Sequence, residues 1–196
     1  KTLAEQGYYS SYYFGGQLTY GNIKGYLLSN GFDLVKDEND YTHLSAGALG
    51  VHDGAMFEQF KKELAALPQP FMSSLFTISS HSPFDFPGTH KLSFNHKDDK
   101  YVNSVAYTDS CLGAFMESVK NEPWYSNTLF VIVADHSHSS PKGWRVAAKE
   151  RYKIPMLWTG AVLKKKYKGK QHHKMGSQID ISSSILGQLK IDASNY

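Results

Sequence analysis

Thr128-Leu-Phe-Val-Ile-Val-Ala-Asp135-His136 is the stretch on which the fold class turns. Leu129 to Ala134 are all apolar, and they run straight into an acid and an imidazole. A continuous apolar run of this length predicts a strand buried on both faces, the kind found inside a parallel sheet. In open α/β sheets ligands bind just beyond the carboxyl ends of the strands, which is where Asp135 and His136 fall. A carboxylate beside a neutral imidazole is a donor set for a divalent metal. The pair also fits a plainer reading, in which the aspartate caps the following turn.

Strand and helix patterns alternate on either side of this stretch. Gly7 to Phe14 is aromatic-rich and ends at Gly15-Gly16, which predicts a strand running into a tight turn. Thr19 to Asn30 reads as a helix with Thr19 as its cap, and Phe32 to Val35 as a short strand. Residues 36–51 are polar and irregular. Asp53 then reads as the cap of a helix carrying Met56, Phe57, Phe60, Leu64 and Leu67 at three- and four-residue spacing. Phe71 to Ser79 is the next strand and delivers His81 past its end. The stretch from His81 to Lys100 has no period, and a loop of that length is usually functional or mobile. Tyr101 to Val119 carries an apolar helical stripe, Ile154 to Thr159 reads as a strand not laddered at Pro155, and Gln178 to Leu189 as the last helix. The expected fold is therefore α/β, a mostly parallel sheet flanked by helices, in one domain of 196 residues. Its strand ends would gather Gly15 to Gln17, His81 and Asp135-His136 on one edge.

Bulk composition narrows the function classes. Hydrophobic residues at 41% and charged residues at 20% describe a globular chain rather than a disordered one. The net charge of +3 does not mark a nucleic-acid partner, and the lysines that cluster, Lys164 to Lys166, Lys168 and Lys170, lie in a predicted solvated loop. The single cysteine, Cys111, sits in an apolar helical pattern and reads as a small core residue, not a nucleophile. His81 can hydrogen-bond an anionic oxygen or act as an acid/base, with a solvent-exposed loop histidine as the plain alternative. His138 is a further candidate ligand, while His172-His173 reads as surface. Ser79, Ser80 and Ser82 lack a Gly-x-Ser-x-Gly setting and are not read as nucleophiles.

Several segments together resemble one family. Pro70-Phe-Met-Ser-Ser-Leu-Phe-Thr-Ile-Ser-Ser-His81-Ser-Pro-Phe84, Tyr101 to Gly113, and Asn127 to His136 are followed in order by Ile154 to Gly160 and Ser177 to Ile181. This arrangement resembles the carboxy-terminal part of the catalytic domain in sulfatase-like enzymes of the alkaline phosphatase superfamily. Within them it is most similar to the lipoteichoic acid synthase-like, or phosphoglycerol transferase, branch. The resemblance implies that Asp135 and His136 bind one divalent metal, with Mn²⁺ the expected ion and Mg²⁺, Ca²⁺ or Zn²⁺ as alternatives. It implies that His81 contacts the substrate phosphate. The remaining acid and a threonine nucleophile lie upstream in that family and match no segment here, so no catalytic nucleophile is expected in this chain. On this reading the chain is a fragment that shows no turnover by itself.

One departure bears on the substrate. Glycerol-phosphate transferases of this family tend to carry His-Gly-Asp and then Trp-Asn-Arg after the first strand seen here. This chain has Phe14-Gly-Gly16-Gln17 and Tyr20-Gly-Asn22-Ile-Lys24, which leaves Gln17 and Asn22 as candidate substrate-binding residues. The implied partner is an anionic phosphate- or sulfate-ester, such as a lipid headgroup or a cell-envelope polymer. The implied location is extracytoplasmic, with membrane contact through an amino-terminal region of the full-length protein. A sulfatase or phosphodiesterase is the alternative within the family, although Cys111 lacks the setting of a formylglycine precursor. A non-enzymatic domain that binds an envelope polymer is the alternative outside it.

Overall fold

Ser10, Ser11, Tyr13 and Phe14 are all buried, and the strand that holds them, β1 (Tyr9–Phe14), has no exposed face. Such a strand is stable only with apolar cover on both sides. The computed structural model, which describes residues 2–89, 91–94 and 97–192, supplies that cover. It divides into two compact units, Lys1–Pro123 with Ser140–Gly143, and Trp124–Ser139 with Trp144–Tyr196.

In the first unit the short α1 (Thr2–Glu5) precedes β1, and α2 (Ile23–Ser29) connects it to β2 (Leu34–Lys36). A small hairpin, β3 (Ala46–Gly47) and β4 (Gly50–Val51), leads into α3 (Asp53–Ala66), β5 (Phe71–Phe76) and α4 (Asp99–Ser118). The sheet order is β2-β1-β5, and both pairings are parallel, in register from Ser11 opposite Leu34 and from Tyr9 opposite Phe71. Successive side chains of β1 divide between the faces. Phe14 packs with Leu18, Leu27 and Val35, while Tyr13 meets the edge of Phe60 on α3 at 5.3 Å. Phe115 of α4 packs against Phe57 and Phe60 at 5.3 and 5.7 Å, so α3 and α4 form one aromatic layer. A parallel sheet with helices on both faces matches the α/β expectation.

The second unit holds β6 (Phe130–Val133), β7 (Met156–Thr159) and α5 (Ile179–Leu189). Here the structure departs from the expectation for the apolar run. β6 pairs antiparallel with β7, Phe130 opposite Thr159 and Val133 opposite Met156, and its residues are half-buried rather than buried. A parallel partner needs a crossover connection of a dozen or more residues, usually a helix. The connection from Val133 to Met156 is long enough for one but forms no α-helix, only a 3₁₀ turn at Lys149–Tyr152, so no helical crossover carries the chain to a parallel neighbour.

Two helix starts also differ. Thr19 makes no capping hydrogen bond, because Gly21 and Asn22 adopt left-handed φ of 62° and 56° and break a 3₁₀ turn from α2. Asp53 is not a cap: His52 occupies that position, and the Asp53 side chain turns inward.

Candidate functional site

The strand end that carries His81 is held by a buried acid. Asp53 is 1% exposed, and its Oδ1 accepts hydrogen bonds from the Ile78 and Ser79 amides at 2.8 and 3.2 Å. Its Oδ2 accepts from the Thr108 hydroxyl at 2.6 Å, and its own amide donates to Ser79 Oγ at 3.0 Å. A buried carboxylate needs such partners to offset desolvation. Asp53 therefore links α3, α4 and the turn after β5, and the His81 amide closes that turn on the Ile78 carbonyl at 2.9 Å. Sequence reasoning missed this role; an acid at a helix start next to a histidine carries only the generic cap signal.

His81 itself is exposed, with Nδ1 2.7 Å from the Ser82 carbonyl. A carbonyl oxygen only accepts, so Nδ1 carries the hydrogen and Nε2 is left facing outward. His81 borders a small cleft with His52, Ser79, Pro83, Asp85 and the Gly47–Gly50 hairpin tip. That hairpin sits on the end of β1, where the Val51 amide donates to the Gly15 carbonyl at 2.8 Å. Gly50 has φ of 129°, and a Cβ there would strike the Gly15 carbonyl. The Gly15-Gly16 turn read from the sequence is thus a seat for the hairpin.

Gln17 and Asn22 are exposed and are not among the residues that line this cleft. The Asn22 side chain lies against Gly25 of its own helix.

In the second unit, Asp135 and His136 follow β6 and are both exposed. Asp135 Oδ1 accepts from the His136 amide at 2.8 Å, and its Oδ2 lies 3.3 Å from His136 Nε2. His136 Nδ1 is 2.9 Å from the Ser137 carbonyl, so this imidazole is again protonated on Nδ1 when neutral. The Nε2 lone pair and the Oδ2 oxygen are then two converging donors. Donors about 2.0–2.2 Å from one ion stand about 3.0–3.4 Å apart, so the observed spacing fits two cis ligands of one divalent cation. Ser137 Oγ, next in the chain, is buried without a hydrogen-bond partner among the described residues. Gln178, at the start of α5, donates to the Asp135 carbonyl at 2.6 Å and pins the backbone of the pair. No group of three His, Cys, Asp or Glu side chains able to hold an ion occurs among the described residues, so His138 does not complete the set.

The remaining candidates fall where the sequence placed them. Cys111 is half-buried on α4, and burial pushes its thiol above the ordinary range, which keeps it inert. The basic loop is exposed, with Lys166 Nζ 4.9 Å from the Tyr167 ring centre. No helix among the described residues is long and apolar enough to cross a membrane.

Comparison with known proteins follows the same outline. The Sulfatase family model matches residues 1–191. Lipoteichoic acid synthase-like YvgJ of Bacillus subtilis (strain 168) is 33% identical over 144 residues, covering 69% of this chain and 23% of that protein. Phosphoglycerol transferase I of Xanthomonas campestris pv. campestris (strain B100) is 25% identical over 207 residues, covering 96% of this chain and 28% of that protein. A solved structure of a protein in the alkaline phosphatase superfamily from Vibrio parahaemolyticus superposes with a TM-score of 0.82 at 28% identity. That match covers 97% of this chain and 47% of the solved one. The chain spans about a quarter of the length of these curated relatives and about half of the solved structure.

Proposed function

Because the chain belongs to the sulfatase family, we propose that it is part of a metal-dependent phosphoryl-transfer enzyme of the phosphoglycerol transferase kind. The substrate is an anionic phosphate ester on a lipid headgroup or cell-envelope polymer. The observation that carries this reading is the Asp135-His136 pair, whose Oδ2 and Nε2 converge at 3.3 Å with the tautomer set by the Ser137 carbonyl.

Asp135 and His136 would hold a divalent ion, Mn²⁺ by family resemblance, which would supply charge to polarise phosphoryl oxygens and favour ionisation of an attacking hydroxyl. Asp135 brings the negative charge of the donor set, and His136 brings a lone pair kept in place by its Nδ1–H bond. Gln178 keeps the backbone under both from drifting. His81, on the rigid turn that Asp53 organises, offers Nε2 to an ester oxygen. None of these residues is positioned as a covalent nucleophile, and that role belongs to a threonine elsewhere in a longer catalytic domain, as does any membrane anchor. Extracytoplasmic placement of the full-length enzyme follows from the same reading.

Two measurements test it. In the full-length protein, Asp135→Ala is expected to remove bound divalent metal and to lower transfer of phosphoglycerol by at least about 10²-fold. Unchanged metal content and turnover would overturn the reading. The 196-residue chain alone is expected to show no phosphodiesterase turnover, and robust turnover would place the nucleophile within it.

A further inference from the structure

The cleft beside His81 contains two titratable side chains that the proposed mechanism does not use. Asp85, on the loop after β5, accepts the Ala48 amide on Oδ2 at 2.8 Å. His52, at the start of α3, lies against Gly47 with Nε2 2.8 Å from where a Cβ would stand. That same Cβ would collide with Asp85 Oδ2 and His52 Cε1, so the bare Gly47 backbone is what lets the carboxylate and the imidazole approach one another. Asp85 Oδ1 and both His52 nitrogens have no hydrogen-bond partner among the described residues. Between them and His81 there is room for a group about the size of one water molecule.

We propose that His52 and Asp85 form a specificity subsite that takes a hydroxyl of the substrate's headgroup while its phosphoryl group lies on His81. The assignment rests on the phosphoryl-transfer reading above and deepens it. An ionised carboxylate only accepts, so the subsite selects a hydrogen-bond donor and repels a second phosphate. The neighbouring imidazole can donate, which asks the same group to accept as well. A hydroxyl meets both demands. An alkyl chain meets neither. The subsite therefore favours a polyol phosphate over an alkyl phosphate.

The test is equilibrium binding to the full-length protein, followed by calorimetry, with glycerol phosphate, n-propyl phosphate and phosphoethanolamine as probes. The unsubstituted protein is expected to prefer glycerol phosphate over propyl phosphate by about 10-fold. Asp85→Asn, which retains an oxygen for the Ala48 amide, and His52→Phe are each expected to abolish that preference while leaving propyl phosphate affinity unchanged. No preference in the unsubstituted protein, a preference for phosphoethanolamine, or equal weakening of both esters by Asp85→Asn would each overturn the subsite. His81→Ala is expected to weaken all three esters alike. If it leaves them unchanged, the phosphoryl reading of His81 fails, and that failure is distinct from failure of the subsite.

Discussion

His81 and His136 share one local device: in each, Nδ1 donates to the carbonyl of the next residue, which leaves Nε2 as the working nitrogen. The consequences differ with the partner. A metal takes the lone pair of the neutral ring, whereas a phosphate oxygen takes the N–H that Nε2 carries only in the imidazolium. His81→Gln, whose amide also donates, is expected to keep phosphate-ester binding that His81→Ala loses, in an NMR titration. Around the other pair, Gln178→Ala removes the bond to the Asp135 carbonyl. It is expected to weaken Mn²⁺ affinity of the full-length protein about 10-fold, by calorimetry, while stability changes by less than about 0.5 kcal/mol. At this scale the position of Asp135, His136 and His81 past strand ends was legible in the sequence, because each follows a patterned strand. Gln178 was not, because its partner is a backbone carbonyl more than forty residues earlier.

Among elements, the seams matter more than the elements themselves. The turn after β5 has no repeating hydrogen-bond ladder of its own, and Asp53 supplies the missing acceptors from α3. Asp53→Ala leaves the Ile78 and Ser79 amides and the Thr108 hydroxyl short of a partner. It is expected to destabilise the protein by about 3–5 kcal/mol, measured by urea unfolding. Asp53→Asn keeps one acceptor and is expected to fold, yet to lose phosphate-ester affinity because the His81 turn loosens. Unchanged affinity in a folded Asp53→Asn variant would remove Asp53 from any positioning role. The helices were legible from their apolar spacing. The β3–β4 hairpin was not, since two-residue strands have no period to read; the glycines at 15 and 50, which let it sit on β1, show their reason only in contact.

At the scale of the whole molecule, buried ionisable groups bound the pH range of stability. Burial tends to raise the Asp37 carboxyl, but hydrogen bonds from Lys24 and Asn39 outweigh it and hold it below the ordinary carboxylate range. A depressed pKa contributes stability that is present above about pH 4 and lost as pH falls through the folded value. The melting temperature is thus expected to drop on acidification below about pH 4, and Asp37→Asn is expected to shallow that drop. In the opposite direction, burial pushes the Tyr13 and Tyr107 hydroxyls up to about 12. A raised pKa contributes stability present below the unfolded value and lost as pH rises, so the alkaline transition is expected between about pH 10 and pH 12, followed by tyrosinate absorbance. Taken alone, the sequence determined the alternation of strands and helices, the Asp-His pair after an apolar strand, and the placement of His81 after another, because spacing and composition are local properties. Tertiary structure alone decided that β6 pairs antiparallel with β7, that Asp53 serves a turn rather than a helix end, and that His52 and Asp85 both lie over Gly47. Each of these depends on which residues far apart in the chain share space, and no local pattern encodes that.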